Sequence, residues 1–174
     1  MEIRIGGKKA VLVAVDVQNK FYTVTEGLKE SVDRKLGTMN RALDIFHDAG
    51  SPVVLLAYDP MNDCTSDEAD DPDAFVDGLR ISDSDYIVHK SEMNSFLGTR
   101  LEQVLRKAGA ESVVLMGLVS HLCVLATYFG AHDRNFSPYI LEGGTSATDE
   151  ENVKHVEAIC RTVSLDDLSE LSGN

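Results

Sequence analysis

Short apolar runs alternate along the chain with longer amphipathic stretches. Residues 10–15 and 52–57 are almost continuously apolar, the pattern of strands buried on both faces. Residues 86–89, 112–116, 138–141 and 162–165 read as further strands. Between them, Val32, Leu36, Met39, Leu43 and Phe46 recur at helical spacing over 31–49, and Gly50 follows as a stop signal. A helix is predicted over 99–108, with Thr99 and Glu102 as a capping box and Gly109 closing it. Two more are predicted over 122–133 and over 148–160, the latter with Val153, Val156 and Ile159 on one face. Strand and helix in alternation imply a parallel sheet covered on both faces, joined by right-handed crossovers. No repeat or Pro/Gly/Ser-rich linker divides the sequence, so residues 1–174 are expected to form one domain. In an open sheet of this kind, ligands bind beyond the carboxyl ends of the strands, where strand order reverses.

Charge narrows the partners. Twenty-nine Asp and Glu against 16 Lys and Arg give a net charge of −13. Such a surface repels phosphate backbones and anionic lipid, so neither nucleic acid nor a membrane is an expected partner, and a small molecule is. Residues 112–132 carry no Asp, Glu, Lys or Arg and are long enough to span a bilayer, but Gly117, Ser120, His121 and Gly130 interrupt them. A strand, a turn and a helix account for the stretch better. The apolar run near the N-terminus is short for a secretory signal and lacks a small-residue cleavage site. Cys64, Cys123 and Cys160 are three in number with no C-x-x-C spacing, which points to a reducing, cytoplasmic setting. From Asp59 to Asp77 the chain is rich in Asp and holds no Lys or Arg. It reads as a solvated surface excursion, because its spacing does not follow the D-x-[DN]-x-[DN]-G calcium loop.

Three reactive side chains stand where strands end: Asp16, Lys90 and Cys123. A thiol at a helix start beside an ammonium is expected to have a lowered pKa. A carboxylate in the same pocket can take the thiol proton and later return it to a leaving group. From spacing alone the alternative, an inert buried thiol, stands beside this one.

The local sequences add a resemblance. Asp16-Val17-Gln18-Asn19-Lys20-Phe21 resembles the D-x-Q-N-x-F motif of the isochorismatase-like cysteine hydrolases. Lys90, followed by Ser95-Phe96-Leu97-Gly98-Thr99, is similar to that family's lysine segment, and Gly117-Leu118-Val119-Ser120-His121-Leu122-Cys123-Val124 to its nucleophile turn. The motifs occur in family order, and the resemblance covers about residues 9–165. It implies a Rossmann-like, three-layer α/β/α sandwich with a six-stranded parallel sheet, order 3-2-1-4-5-6. It implies an Asp16/Lys90/Cys123 triad, a cis peptide between Leu118 and Val119, and an oxyanion hole made by the N–H groups of Val119 and Cys123. Gln18, Phe21, Asn94 and His121 become candidates for the substrate pocket. For Gln18 a structural hydrogen bond near Asp16, and for His121 a surface turn, are the alternatives. Cys64 and Cys160 read as non-catalytic, with Cys160 in the core, and Gly143-Gly144 as a turn after the fifth strand.

Departures from the family pattern sharpen the expectation. Nicotinamidases of the family place a D-x-H and further histidines after strand two to hold a metal. Here Asp59 stands in that region with no histidine between His47 and His89, so no metal and no other cofactor is expected. Cys123 favours hydrolysis of a C–N bond in a small amide, carbamoyl or ureide compound through a covalent intermediate. The alternatives are vinyl ether hydrolysis with Asp16 as the acid, and an inactive family member serving as a binding or assembly subunit. The resemblance also implies a homo-oligomer, a dimer or larger.

Overall fold

A computed structural model describes residues 1–60, 65–66 and 68–173. Its elements are β1 (Arg4–Ile5), β2 (Lys8–Val15), α1 (Asn19–Tyr22), α2 (Glu26–Asp48), β3 (Val53–Tyr58), β4 (Tyr86–Lys90), α3 (Leu101–Lys107), β5 (Ser112–Leu118), a π-helical turn (Ser120–Val124), α4 (Leu125–His132), β6 (Ser137–Ser146), α5 (Glu150–Ile159), β7 (Thr162–Val163) and α6 (Leu165–Ser172). Six strands form a parallel sheet in the order β4-β3-β2-β5-β6-β7, and β1 pairs antiparallel with β2. Counted from β2, this is the order 3-2-1-4-5-6 that the sequence led us to expect.

The central strand shows why the sheet is buried on both sides. Ala10, Leu12 and Ala14 of β2 point into one apolar cluster, with Val32, Met39 and Phe46 of α2 and Leu168 of α6. Val11, Val13 and Val15 point into the other, with Leu101 and Leu105 of α3, Tyr128 of α4 and Val156 of α5. Both sets alternate with the strand's period of two, so a continuous apolar run is what a covered strand requires. Strand order reverses between β2 and β5, the crevice where the candidate residues converge.

Several local expectations change. Helix α2 starts five residues before the predicted position, because Thr25 caps it by accepting from Leu28 N–H at 3.1 Å. The Thr99/Glu102 capping box does not form. Thr99 Oγ1 donates to the Ser95 carbonyl at 2.5 Å, and the Glu102 carboxylate is taken by Arg106 at 3.3 Å and Arg134 at 3.2 Å. Gly143-Gly144 lies inside β6 rather than in a turn after it: the β5–β6 register shifts there, and Gly143 N–H, at φ +64°, donates to Glu157 Oε1 at 2.9 Å. Helix α6 was not anticipated; Ser164 and Asp167 form its capping box. Cys160 closes α5 half-buried against the second apolar cluster. The reading of Cys64, and of Asp63 and Asp67 in the acidic stretch, lies outside the described residues. Among the described residues no helix is long and apolar enough to cross a membrane.

Candidate active site

The carboxyl ends of β2, β4 and β5 carry the three candidate residues to one place. Asp16 directly follows β2 and adopts φ +51°, a left-handed conformation that few non-glycine residues occupy and that concentrates at functional sites. Lys90 is the last residue of β4. Gly117, near the end of β5, lets this convergence happen. At φ +111° it brings β5 so close to β2 that a Cβ would fall 2.2 Å from the Val15 carbonyl oxygen. Beyond it the Leu118–Val119 peptide is cis, and the π-helical turn places Cys123 four residues further on.

Lys90 Nζ donates to Asp16 Oδ2 at 2.7 Å, with both side chains essentially out of solvent. Lys90 also approaches the Met93 carbonyl at 3.4 Å and lies 5.2 Å from the centre of the Tyr58 ring. Asp16 Oδ1 is buried without a formed hydrogen bond. The Cys123 thiol faces the same carboxyl closely enough to interact with it as a donor, short of a well-formed bond. Burial raises the Asp16 pKa, and the Lys90 ammonium opposes that rise.

The thiol itself departs from expectation. The helix start and Lys90 were expected to lower its pKa. Burial, and next the negative charge of Asp16, instead push it up to about 12, with Lys90 only partly opposing them. The resting thiol is therefore protonated, and it faces the Asp16 carboxyl that Lys90 Nζ holds at 2.7 Å.

The remaining candidates divide. Gln18 is 1% exposed and its amide is spent on the backbone: Nε2 donates to the Asp73 carbonyl at 2.9 Å, and Oε1 accepts from Tyr58 N–H at 2.8 Å. It ties β3 and the acidic stretch to the Asp16 loop. Phe21 packs edge-on against Tyr58, centroids 5.7 Å apart. The Asn94 side chain sits against Gly130 of α4, where a Cβ would meet its Oδ1 at 2.3 Å, and accepts from Phe96 N–H at 3.0 Å. His121 is exposed on the π-helical turn two residues before Cys123. Sequence reasoning passed over Tyr58, whose hydroxyl pKa is raised by burial and then by Cys123, and Lys20, which is fully buried. A tyrosine ending a strand next to the crevice was the available signal for the first.

Asp59 is not alone: His89 Nδ1 lies 2.6 Å from its Oδ1, both side chains largely exposed. Two groups do not make a transition-metal site. Among the described residues no three or more His, Cys, Asp or Glu side chains gather where they could hold a metal.

Comparison with known proteins places the fold. The model of the Isochorismatase domain matches residues 10–163. The crystal structure of N-carbamoylsarcosine amidase from Thermoplasma acidophilum superposes with a TM-score of 0.76 at 26% identity, covering 91% of this chain and 97% of that one. A cysteine hydrolase from Pseudomonas syringae pv. phaseolicola shares the fold with a TM-score of 0.80 at 18% identity, over 99% of this chain and 97% of that one. Nicotinamidase 3 of Arabidopsis thaliana is 24% identical over 158 residues, 83% of this chain and 76% of its own.

Proposed function

The chain belongs to the isochorismatase family and is a hydrolase, and from that premise we propose that it cleaves a C–N bond in a small amide, carbamoyl or ureide compound through a covalent adduct on Cys123. The observation that carries the reading is the buried Asp16–Lys90 pair, with one carboxylate oxygen unpartnered and the Cys123 thiol beside it. That oxygen is an acceptor with nothing else to accept from, which is what a general base for the thiol requires.

The sequence of steps follows. Asp16 Oδ1 takes the thiol proton as Sγ attacks the substrate carbonyl carbon, and the carbonyl π electrons move onto oxygen. The N–H groups of Val119 and Cys123 stabilise that oxyanion. When it collapses, the C–N bond breaks and Asp16 returns the proton to the leaving nitrogen. Asp16 then deprotonates a water that attacks the thioester, and its proton restores the thiol as the acid product leaves. Lys90 remains an ammonium throughout, so Asp16 is never a lone buried anion. The N-carbamoylsarcosine amidase among the similar structures supports amide and carbamoyl compounds as the first class to try.

Under the same reading the chain works as one domain in the cytoplasm, with no metal. It self-associates as a dimer or larger assembly. The test is intact-protein mass spectrometry after mixing with a panel of small amides, carbamoyl compounds and ureides. A productive compound adds its acyl mass to the wild type and not to Cys123→Ala, and Cys123→Ala loses turnover. Full turnover in Cys123→Ala refutes the covalent route and leaves vinyl ether chemistry on Asp16.

A further inference from the structure

Lys20 is a charged residue with 0% exposure, and it ranks among the largest fully buried side chains of the chain. Burying an ammonium is costly unless it is paired and hydrogen-bonded. Among the described residues its partners come from one stretch of the chain, between Asp59 and Asp73. Nζ is paired with the Asp73 carboxylate and donates to the Asp59 carbonyl at 3.2 Å. The Lys20 backbone N–H donates to the Pro72 carbonyl at 2.9 Å, and its own carbonyl accepts from Ser66 N–H at 2.8 Å. Neighbours extend the seam: Asn19 N–H to the Ala74 carbonyl at 2.9 Å, Asn19 Nδ2 to the Asp71 carbonyl at 3.0 Å, and Val76 N–H to the Val17 carbonyl at 2.9 Å. Residues 17–20, which directly follow the strained Asp16, are thus stitched along the acidic stretch, and Lys20 is the one cation in the seam.

The bland account of the acidic stretch is a solvated excursion. That does not explain why a lysine is buried to meet it, since a neutral side chain would avoid the desolvation cost. We infer that Lys20 is a positioning residue of the site: through the Asp73 carboxylate and the Asp59 carbonyl its side chain clamps the 68–76 stretch onto the Asp16 loop and sets a buried positive charge at the end of that loop. This rests on the proposed role of Asp16. The charged and titratable groups that act on Asp16 are Lys90 from β4, Cys123 from the π-helical turn, Tyr58 from β3 and Lys20 from α1. Lys90 makes the direct ion pair. Lys20 adds a second positive charge that favours the carboxylate, and Tyr58 contributes no charge at neutral pH.

The test compares wild type with Lys20→Met, Lys20→Arg and Asp73→Asn. Asp73 is 72% exposed, so Asp73→Asn removes the clamp's outer half without leaving a buried hole. The readouts are the ¹³C NMR titration of the Asp16 carboxyl, which needs no substrate, and the rate of proteolytic cleavage within residues 68–77. Lys20→Met should move the Asp16 midpoint up by roughly 0.5–1 pH unit, because a lost positive charge favours the protonated acid. Lys20→Arg should restore the midpoint. In Asp73→Asn cleavage within residues 68–77 should quicken several-fold. An unmoved midpoint in Lys20→Met overturns the positioning role at Asp16. Unchanged cleavage in Asp73→Asn overturns the clamp, and that arm stands even where Lys20→Met fails to fold. If Asp16 of the wild type is still protonated at neutral pH, its role as the base fails instead, and the two failures are told apart.

Discussion

Asp16→Asn should separate the reactivity of the thiol from turnover. In the wild type the thiol is pushed up to about 12, burial being the first cause and the Asp16 charge the second. At pH 7 that leaves a thiolate fraction of about 10⁻⁵, since each pKa unit is a factor of ten. Asparagine keeps the shape of the side chain and removes its charge. Lys90 Nζ then faces a neutral amide and acts on the thiol without a competing carboxylate. A fall of about 2 pKa units is in range for the loss of one adjacent like charge. The thiolate fraction then rises about 100-fold, while intrinsic nucleophilicity falls about 10-fold along a Brønsted slope near 0.5. Alkylation of Cys123 by iodoacetamide at pH 7 should therefore quicken about 10-fold. Over the same change kcat/KM should drop about 10²–10⁴-fold, because the proton carrier is gone. Peptide mapping of the labelled protein assigns the rate to Cys123 rather than Cys160. Slower labelling in Asp16→Asn would refute the reasoning. It would mean that the thiolate forms by proton transfer to Asp16, and that the carboxylate's role as acceptor outweighs its charge.

Gly117→Ala should lower stability by about 3 kcal/mol or more, or prevent folding, because φ +111° and a contact of 2.2 Å with the Val15 carbonyl oxygen cannot both be relieved; thermal unfolding reads it, and an unchanged Tm would refute the close approach. Glu150 joins α5 to α2 by accepting from Ser31 Oγ at 2.6 Å and Lys35 Nζ at 2.8 Å. Burial raises its pKa, but those bonds outweigh it and hold the carboxyl below the ordinary range. A folded-state pKa below the unfolded one means that the stabilisation is complete above the unfolded value and is lost as pH falls through the folded value. Glu150→Gln should thus cost about 1 kcal/mol at pH 7, allowing for solvent screening, with the gap closing in melts below about pH 4. Activity on a productive substrate should survive exhaustive chelation, because carbonyl activation comes from backbone donors; loss on chelation with recovery on adding zinc would sink the metal-free reading.

What could be read from the sequence, and what could not, divides along one physical line. Asp16, Lys90 and Cys123 were legible because a parallel sheet puts every carboxyl end on one edge. Position along the chain then becomes position in space without knowledge of any side-chain contact. The order of the strands came from the family resemblance that the motifs carry. Everything that depended on a neighbour from elsewhere in the chain was hidden. The bulge at Gly143-Gly144 exists only relative to the register of β5. Thr99 Oγ1 accepts from Leu101 N–H rather than from Glu102 N–H while donating to the Ser95 carbonyl, and Glu102 is drawn off because Arg134 arrives from the end of α4. Lys20 reads as a variable position within its motif until Asp73 is brought to it. The sign of the thiol shift is the most instructive case. Spacing reveals a helix start and a lysine, both of which lower a thiol pKa. It does not reveal that the lysine's charge is already committed to Asp16 at 2.7 Å. With that charge committed, the Asp16 carboxylate presses on the buried thiol more strongly than Lys90 relieves it, and the thiol stays protonated. Under the proposed mechanism a site so arranged keeps its thiol inert until a carbonyl arrives to accept the electron pair. The burial that raises the thiol pKa therefore also favours substrate over stray oxidants and alkylating agents, whose reaction needs free thiolate.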